Sequence, residues 1–140
     1  MLFRSEIVAE TFAAHPYDLA AAFAKGVAAG TKAVISLESP VLLDQRSKTF
    51  ELATKHRLPS IGAHALYAEA GHLMSYGVNP ATAFARAGDI AASILKGAKA
   101  GDIPVEQPTE FELVVNLKTA KALKISIPQS VLLRANRVIE

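Results

Sequence analysis

Short apolar runs alternate with longer stretches of helical spacing along this chain, and that alternation constrains its fold more than any other feature. The runs predict five strands, at residues 7–12, 32–37, 58–62, 73–76 and 112–117. The stretches around them predict helices, at residues 18–29, 41–56, 65–70, 80–96, 119–123 and 128–138. Parallel strands need a long crossover, which such helices supply. The pattern therefore predicts an α/β domain with a mainly parallel sheet.

The size of the chain, 140 residues, is that of one domain. Hydrophobic residues make up 51% of it and charged residues 20%, which is typical of a packed globular domain. We therefore expect residues 1–140 to form a single α/β domain.

The charges and the absence of cysteine exclude several classes of function. The formal net charge is only +2, and Glu51 interrupts the densest basic segment at residues 46–57, so a nucleic-acid surface is not expected. Without cysteine the chain forms no disulfide and no thiolate metal site.

The N-terminal residues carry no apolar run of signal-peptide length, and no segment has about 18 consecutive apolar residues. The chain as written is therefore predicted to be cytoplasmic. The prediction changes to periplasmic if the sequence is a fragment of a longer exported chain.

Polar and aromatic residues follow three successive predicted strands. They are Glu38 and Ser39, then Ala63 and His64, then Ser75, Tyr76 and Asn79. Because open α/β sheets bind ligands at the carboxyl ends of their strands, these residues are candidates for a binding surface. Each of them, taken singly, is equally well explained as an ordinary loop residue.

No cofactor or metal site is predicted. The four histidines, His15, His56, His64 and His72, lack the spacing of a helical metal pair, and no glycine-rich phosphate loop or GxSxG motif occurs. An acid–base pair for catalysis could come only from Glu38 with His64 or His72.

Six segments, in order, resemble one protein family. They are KHRLP at 55–59, EAG at 69–71, LMSYG at 73–77, ILKGA at 94–98, IPVEQPT at 103–109 and FELVVNLKTAKAL at 111–123. Together they are similar to the substrate-binding proteins of ABC transporters with a type I periplasmic-binding-protein fold, in the branch that includes tryptophan- and tyrosine-binding receptors. The resemblance runs from about residue 7 to the end.

The resemblance implies a three-layer, Rossmann-like lobe, the second of two lobes that close on a small solute, with the first lobe absent from this chain. The loops at Glu38, Ser39 and Pro40, at Ala63 and His64, and at Ser75 and Tyr76 would form one wall of the cleft for an amino-acid-like ligand. Two departures leave the ligand open: the family often has an aromatic residue where Gly62 and Ala63 stand, and usually glycine at His72.

The resemblance also implies that the helix at 80–96 lacks its usual packing partner. Its exposed stripe would then form a homodimer or higher oligomer, through Phe84, Ala87, Ile90, Ala91 and Ile94. An ABC permease is a further expected partner if the protein is exported. Two alternatives stay open, a cytoplasmic self-associating sensory or regulatory module and a small flavodoxin-like enzyme.

Overall fold

A computed structural model describes residues 17–140. The predicted strand at 7–12 lies outside the described residues. The sheet has five strands in the order β1-β2-β3-β4-β5. They are β1 (Val34–Ser36), β2 (Ser60–Gly62), β3 (Met74–Val78), β4 (Phe111–Asn116) and β5 (Arg137–Ile139).

The sheet is mainly parallel, which confirms the predicted α/β class. Strands β1, β2 and β3 run parallel to one another, β4 is antiparallel to β3, and β5 is parallel to β4. In the antiparallel pair Val78 lies opposite Phe111. Residues 79–110 therefore leave the sheet and return to it at the same place.

Seven helices precede or connect these strands within residues 17–140. They are α1 (Leu19–Ala28), α2 (Pro40–Asp44), α3 (Arg46–Lys55), α4 (Ala65–Glu69), α5 (Pro80–Leu95), α6 (Leu117–Ala122) and α7 (Gln129–Leu132). A short 3-10 helix, Ala100–Asp102, lies in the exposed linker. Side chains cap four of the helices: Asp18 caps α1, Ser39 caps α2, Asn79 caps α5 and Asn116 caps α6, each by accepting a backbone N–H.

Three predicted elements are corrected by the structure. The helix predicted at 41–56 is two helices, because the chain turns at Gln45. The strand predicted at 73–76 runs instead from Met74 to Val78. The helix predicted at 128–138 is wrong: α7 ends at Leu132 and β5 follows.

Asn136 explains the last correction. Its backbone N–H donates to the Leu113 carbonyl, and its side-chain Oδ1 accepts the Leu113 N–H over 2.8 Å. This double contact holds the segment beside β4, where Arg137–Ile139 can pair as a strand. A partner 23 residues away in the chain has therefore overridden the local helical spacing.

The two faces of the sheet are unlike. The strand register places four residues on one face: Ser36, Gly62, Ser75 and Val114. On this face the Tyr67 ring of α4 packs over Gly62, so closely that a Cβ at position 62 would overlap the ring. The other face carries exposed apolar side chains. Ile35 is 69% exposed, and Tyr76 and Phe111 are each about half exposed. The core of the described residues therefore lies mainly on the α4 side.

Candidate functional site

The carboxyl ends of β1 and β2 bring together two of the candidate residues. Ser36 pairs with Gly62, so the loops that follow start side by side. His64 Nε2 lies 2.8 Å from Glu38 Oε1, and a ring N–H donates this hydrogen bond to the carboxylate. The His64 side chain is 14% exposed and the Glu38 side chain 70% exposed. The carboxylate therefore faces solvent while the imidazole holds it from within the protein.

Ser39 and Pro40 start helix α2 beside this pair. Ser39 Oγ accepts the Leu42 N–H at 3.4 Å, and Pro40 occupies the first turn, where its missing N–H costs nothing. The Ser39 hydroxyl thus has a structural contact as well as a position next to Glu38. Pro40 is exposed at the same edge.

The loop after β2 lies directly on β3. The carbonyl of Ala63 approaches Gly77 so closely that any Cβ at Gly77 would overlap it. Glycine is therefore required at position 77 for this approach. The contact holds the loop that carries Ala63 and His64 against the end of β3.

The candidate residues of β3 point in different directions. Ser75 is fully buried, and its Oγ has no hydrogen-bond partner within residues 17–140, so its hydroxyl does not reach the exposed edge. Tyr76 faces the opposite side of the sheet and is 53% exposed. Asn79 follows β3, where its Oδ1 accepts the Ala81 N–H at 2.9 Å and caps α5. Its amide nitrogen has no hydrogen-bond partner within residues 17–140 and can donate to a ligand.

The structure adds two residues that the sequence did not single out. The ring of Phe111 stacks on Tyr76, with centroids 5.4 Å apart and planes inclined by 19°. Tyr67 is buried one turn after His64. Burial and, secondarily, the charge of Glu38 raise the pKa of Tyr67, while Arg46 lowers it. The pairing of Val78 with Phe111 is nonlocal, so no local signal could have identified Phe111.

His72 lies away from this edge. It precedes β3, and its buried ring packs against Phe50 and Tyr67, with centroids 5.8 and 5.1 Å away. Its Nε2–H donates to the Arg46 carbonyl at 2.9 Å. The suggested acid–base pairing of Glu38 with His72 is therefore wrong, because the two side chains are at opposite ends of the parallel strands. Glu38 with His64 is the pair that meets.

Other features of residues 17–140 offer less. An apolar hollow of about 200 Å³ lies between α1 and β1, but none of the predicted site residues lines it. No group of three or more His, Asp or Glu side chains in these residues could hold a metal ion. None of the described helices is long and apolar enough to cross a membrane.

Comparison with known proteins places these features in a family. Residues 7–139 match the family described as ABC transporter substrate binding protein. A tyrosine-binding protein from Clostridioides difficile (strain R20291) is 32% identical over 73 residues, which cover 52% of this chain and 21% of that protein.

Solved structures show the same fold. One, a domain in complex with L-Trp from Streptococcus pneumonia, has a TM-score of 0.79 at 24% identity and covers 87% of this chain and 41% of its own. A conserved domain protein from Vibrio cholerae has a TM-score of 0.75 at 26% identity and covers 81% of this chain and 38% of its own.

The match in sequence thus extends over nearly the whole chain, and the fold agrees with it. The chain covers about two fifths of the length of those solved structures, and its match to the curated relative covers about a fifth of that protein. With residues 7–139 matched, the chain belongs to the ABC transporter substrate-binding protein family.

Proposed function

We propose that this chain forms one wall of a solute-binding cleft and binds a small, amino-acid-like ligand at the carboxyl edge of its sheet. The observation that carries the proposal is the Glu38–His64 pair, which presents a carboxylate to solvent at the edge where α/β sheets bind ligands. Family membership supports the class of ligand, because relatives include a tyrosine-binding protein and a domain solved with L-Trp.

The chemistry of the edge suits an amino acid. The Glu38 carboxylate accepts hydrogen bonds from an ammonium group, and His64 keeps that carboxylate in place. The exposed side of the Tyr76 ring, backed by Phe111, offers an apolar surface to a side chain. Ser39, Pro40, Ala63 and Asn79 form the rim, while Ser75 lies beneath it, fully buried.

The opposite wall of the cleft belongs to a second lobe in this proposal. The chain spans about two fifths of the solved relatives, which leaves room in them for such a lobe. A homo-oligomer also belongs to the proposal. It forms through the α5 stripe, which consists of Phe84, Ala87, Ile90, Ala91 and Ile94. In an exported form the protein would deliver its ligand to an ABC permease.

Calorimetric titration with tryptophan, tyrosine, phenylalanine and leucine tests the ligand proposal. The wild-type chain should bind at least one of these amino acids. Glu38→Gln should bind the same amino acid about tenfold or more weakly, because the amide lacks the charge that attracts an ammonium group. Glu51→Gln is the matched control, since Glu51 lies on α3 and pairs with Lys48. Equal affinities for wild type and Glu38→Gln would contradict the proposed role of the pair.

A second candidate function is a cytoplasmic sensory or regulatory module that associates with itself. The exposure of α5 favours this function, since none of the residues of that helix is buried within residues 17–140. A dimer that binds none of the amino acids in the titration would support this alternative. The third reading, a small enzyme, requires turnover that is lost in Glu38→Gln. The family itself is a class of binding proteins, not of enzymes.

A further inference from the structure

Helix α5 is the longest helix within residues 17–140, and none of its residues is buried. Asn79 caps its first turn, and Arg86 Nε donates to Glu106 at 2.7 Å, which ties the helix to the following linker. Phe84 is 77% exposed, and Ile94 is exposed as well. Apart from Ile90, which is half-buried, the apolar face of α5 is therefore open in the part of the chain that the structure describes.

The sizes of the side chains along that face follow the same order in both directions. The seam of the face consists of Phe84, Ala87, Ala91 and Ile94, at helical spacings of three, four and three. The large side chains stand at its ends and the small ones in its middle, symmetrically about position 89. A two-fold interface requires a surface that is complementary to itself. This symmetry meets that requirement for an antiparallel pair.

The charges of α5 lie outside the seam. At about 100° per residue, Asp89 projects roughly opposite the middle of the seam, and Arg86 lies about 120° from it. Neither charge is buried when a second α5 packs on the seam. The two central alanines let the helix axes approach closely, while the end residues fill the space on either side.

We propose that α5 packs antiparallel against α5 of a second copy of this chain, about a two-fold axis at position 89. Phe84 packs on the partner's Ile94, Ala87 on the partner's Ala91, and Ile90 meets the partner's Ile90 at the flank. This arrangement specifies the geometry of the homo-oligomer in the proposed function, and it rests on that part of the proposed function.

The arrangement has a consequence for ligand binding. Sixteen residues make α5 about 24 Å long, and its first residue follows the carboxyl end of β3. The two candidate sites of a dimer therefore lie at opposite ends of the helix pair. Each chain binds its own ligand in this dimer, and the ligand does not change the dimer's dissociation constant.

Sedimentation equilibrium of matched glutamate variants tests the interface. Ala87→Glu places a charge in the seam and should raise the dissociation constant of the dimer about 100-fold. Ala85→Glu is the control, since Ala85 is also exposed on the same helix but lies about 140° from the middle of the seam, and it should leave the constant unchanged. A wild-type chain that stays monomeric up to about 100 µM overturns the proposal, as does equal dissociation of both variants.

A short bis-maleimide linker tests the register, because the chain has no cysteine of its own. Ile90→Cys should link to itself, and Asp89→Cys should not. Phe84→Cys and Ile94→Cys should link only when mixed, because antiparallel packing separates the two copies of Phe84 by about 15 Å along the seam. Self-linking of Phe84→Cys indicates a parallel pair and overturns the proposed register, and so does failure of the mixture.

Calorimetry of Ala87→Glu separates this inference from the ligand proposal. The variant should bind its ligand as the wild type does while remaining monomeric. A dimer that passes the cysteine test but binds no amino acid leaves the helix pair standing and refutes the ligand proposal. Ligand binding that is lost together with the dimer overturns the separated sites and with them the proposed arrangement.

Discussion

Replacing His72 by glutamine would show how one buried imidazole makes this fold sensitive to acid. The ring is fully buried against Phe50 and Tyr67, and its Nε2–H donates to the Arg46 carbonyl. Its Nδ1 is buried without a partner within residues 17–140, so a second proton there has no acceptor. Burial lowers the pKa of His72 below its ordinary 6.5, against a smaller opposing effect of the hydrogen bond.

The direction of the pH dependence follows from that lowered pKa. As the pH falls below 6.5, the unfolded chain takes up a proton on His72 that the folded chain does not. The free energy of unfolding is therefore unaffected by His72 above pH 6.5 and decreases below it. One proton corresponds to about 1.4 kcal/mol for each pH unit, so lowering the pH from 7.5 to 5.5 removes up to about 1.4 kcal/mol through this group.

Urea unfolding, followed by circular dichroism at several values between pH 7.5 and 5.5, measures the effect. The glutamine amide can still donate to the Arg46 carbonyl but does not titrate. At pH 7.5 His72→Gln should be less stable by about 1–3 kcal/mol, because the ring contacts are lost. Between pH 7.5 and 5.5 the wild type should lose more stability than the variant. Parallel pH profiles for the two proteins would refute the reasoning.

Three further predictions concern the backbone and the core. Lys124 and Arg57 adopt left-handed backbone conformations, so replacing either by glycine should raise the free energy of unfolding by about 0.5–1 kcal/mol, whereas alanine at the same position should not. Gly77→Ala should cost about 3 kcal/mol in urea unfolding, because its Cβ meets a loop carbonyl, and Gly101→Ala, in open space, should cost less than about 0.5 kcal/mol. Tyr67→Phe should raise the unfolding free energy by about 1 kcal/mol, since it removes a buried hydroxyl that has no partner in residues 17–140, and a loss of stability would argue against that account.

The class of fold and the order of its elements could be predicted from the sequence, because apolar spacing and helix caps are local signals. Asn79 before Pro80 is such a signal, and α5 begins there as expected. The predicted helix at 128–138 was wrong because Asn136 pairs with Leu113, and the spacing of apolar residues does not reveal a partner that is distant in the chain. Helical spacing within 128–138 could not outweigh that contact.

The candidate site was predictable in part for the same reason. Glu38 and His64 follow adjacent parallel strands, and parallel topology suffices to bring them together. Ser75 and Tyr76, neighbours in sequence, differ because a strand directs successive side chains to opposite faces. Which face is covered depends on α4 and its Tyr67 ring, and that packing is not evident from the sequence of β3.

The pairing of Val78 with Phe111 makes residues 79–110 a detour between two neighbouring strands. Closing a loop of these 32 residues in place of a four-residue turn costs the folded chain about 2 kcal/mol in chain entropy. Within residues 17–140 no residue of α5 is buried, so burial of this helix does little to offset that cost. A chain shortened by a tight turn from Val78 to Phe111 should therefore keep its sheet and gain stability, and the value of the detour to the protein lies in what α5 meets outside its own sheet.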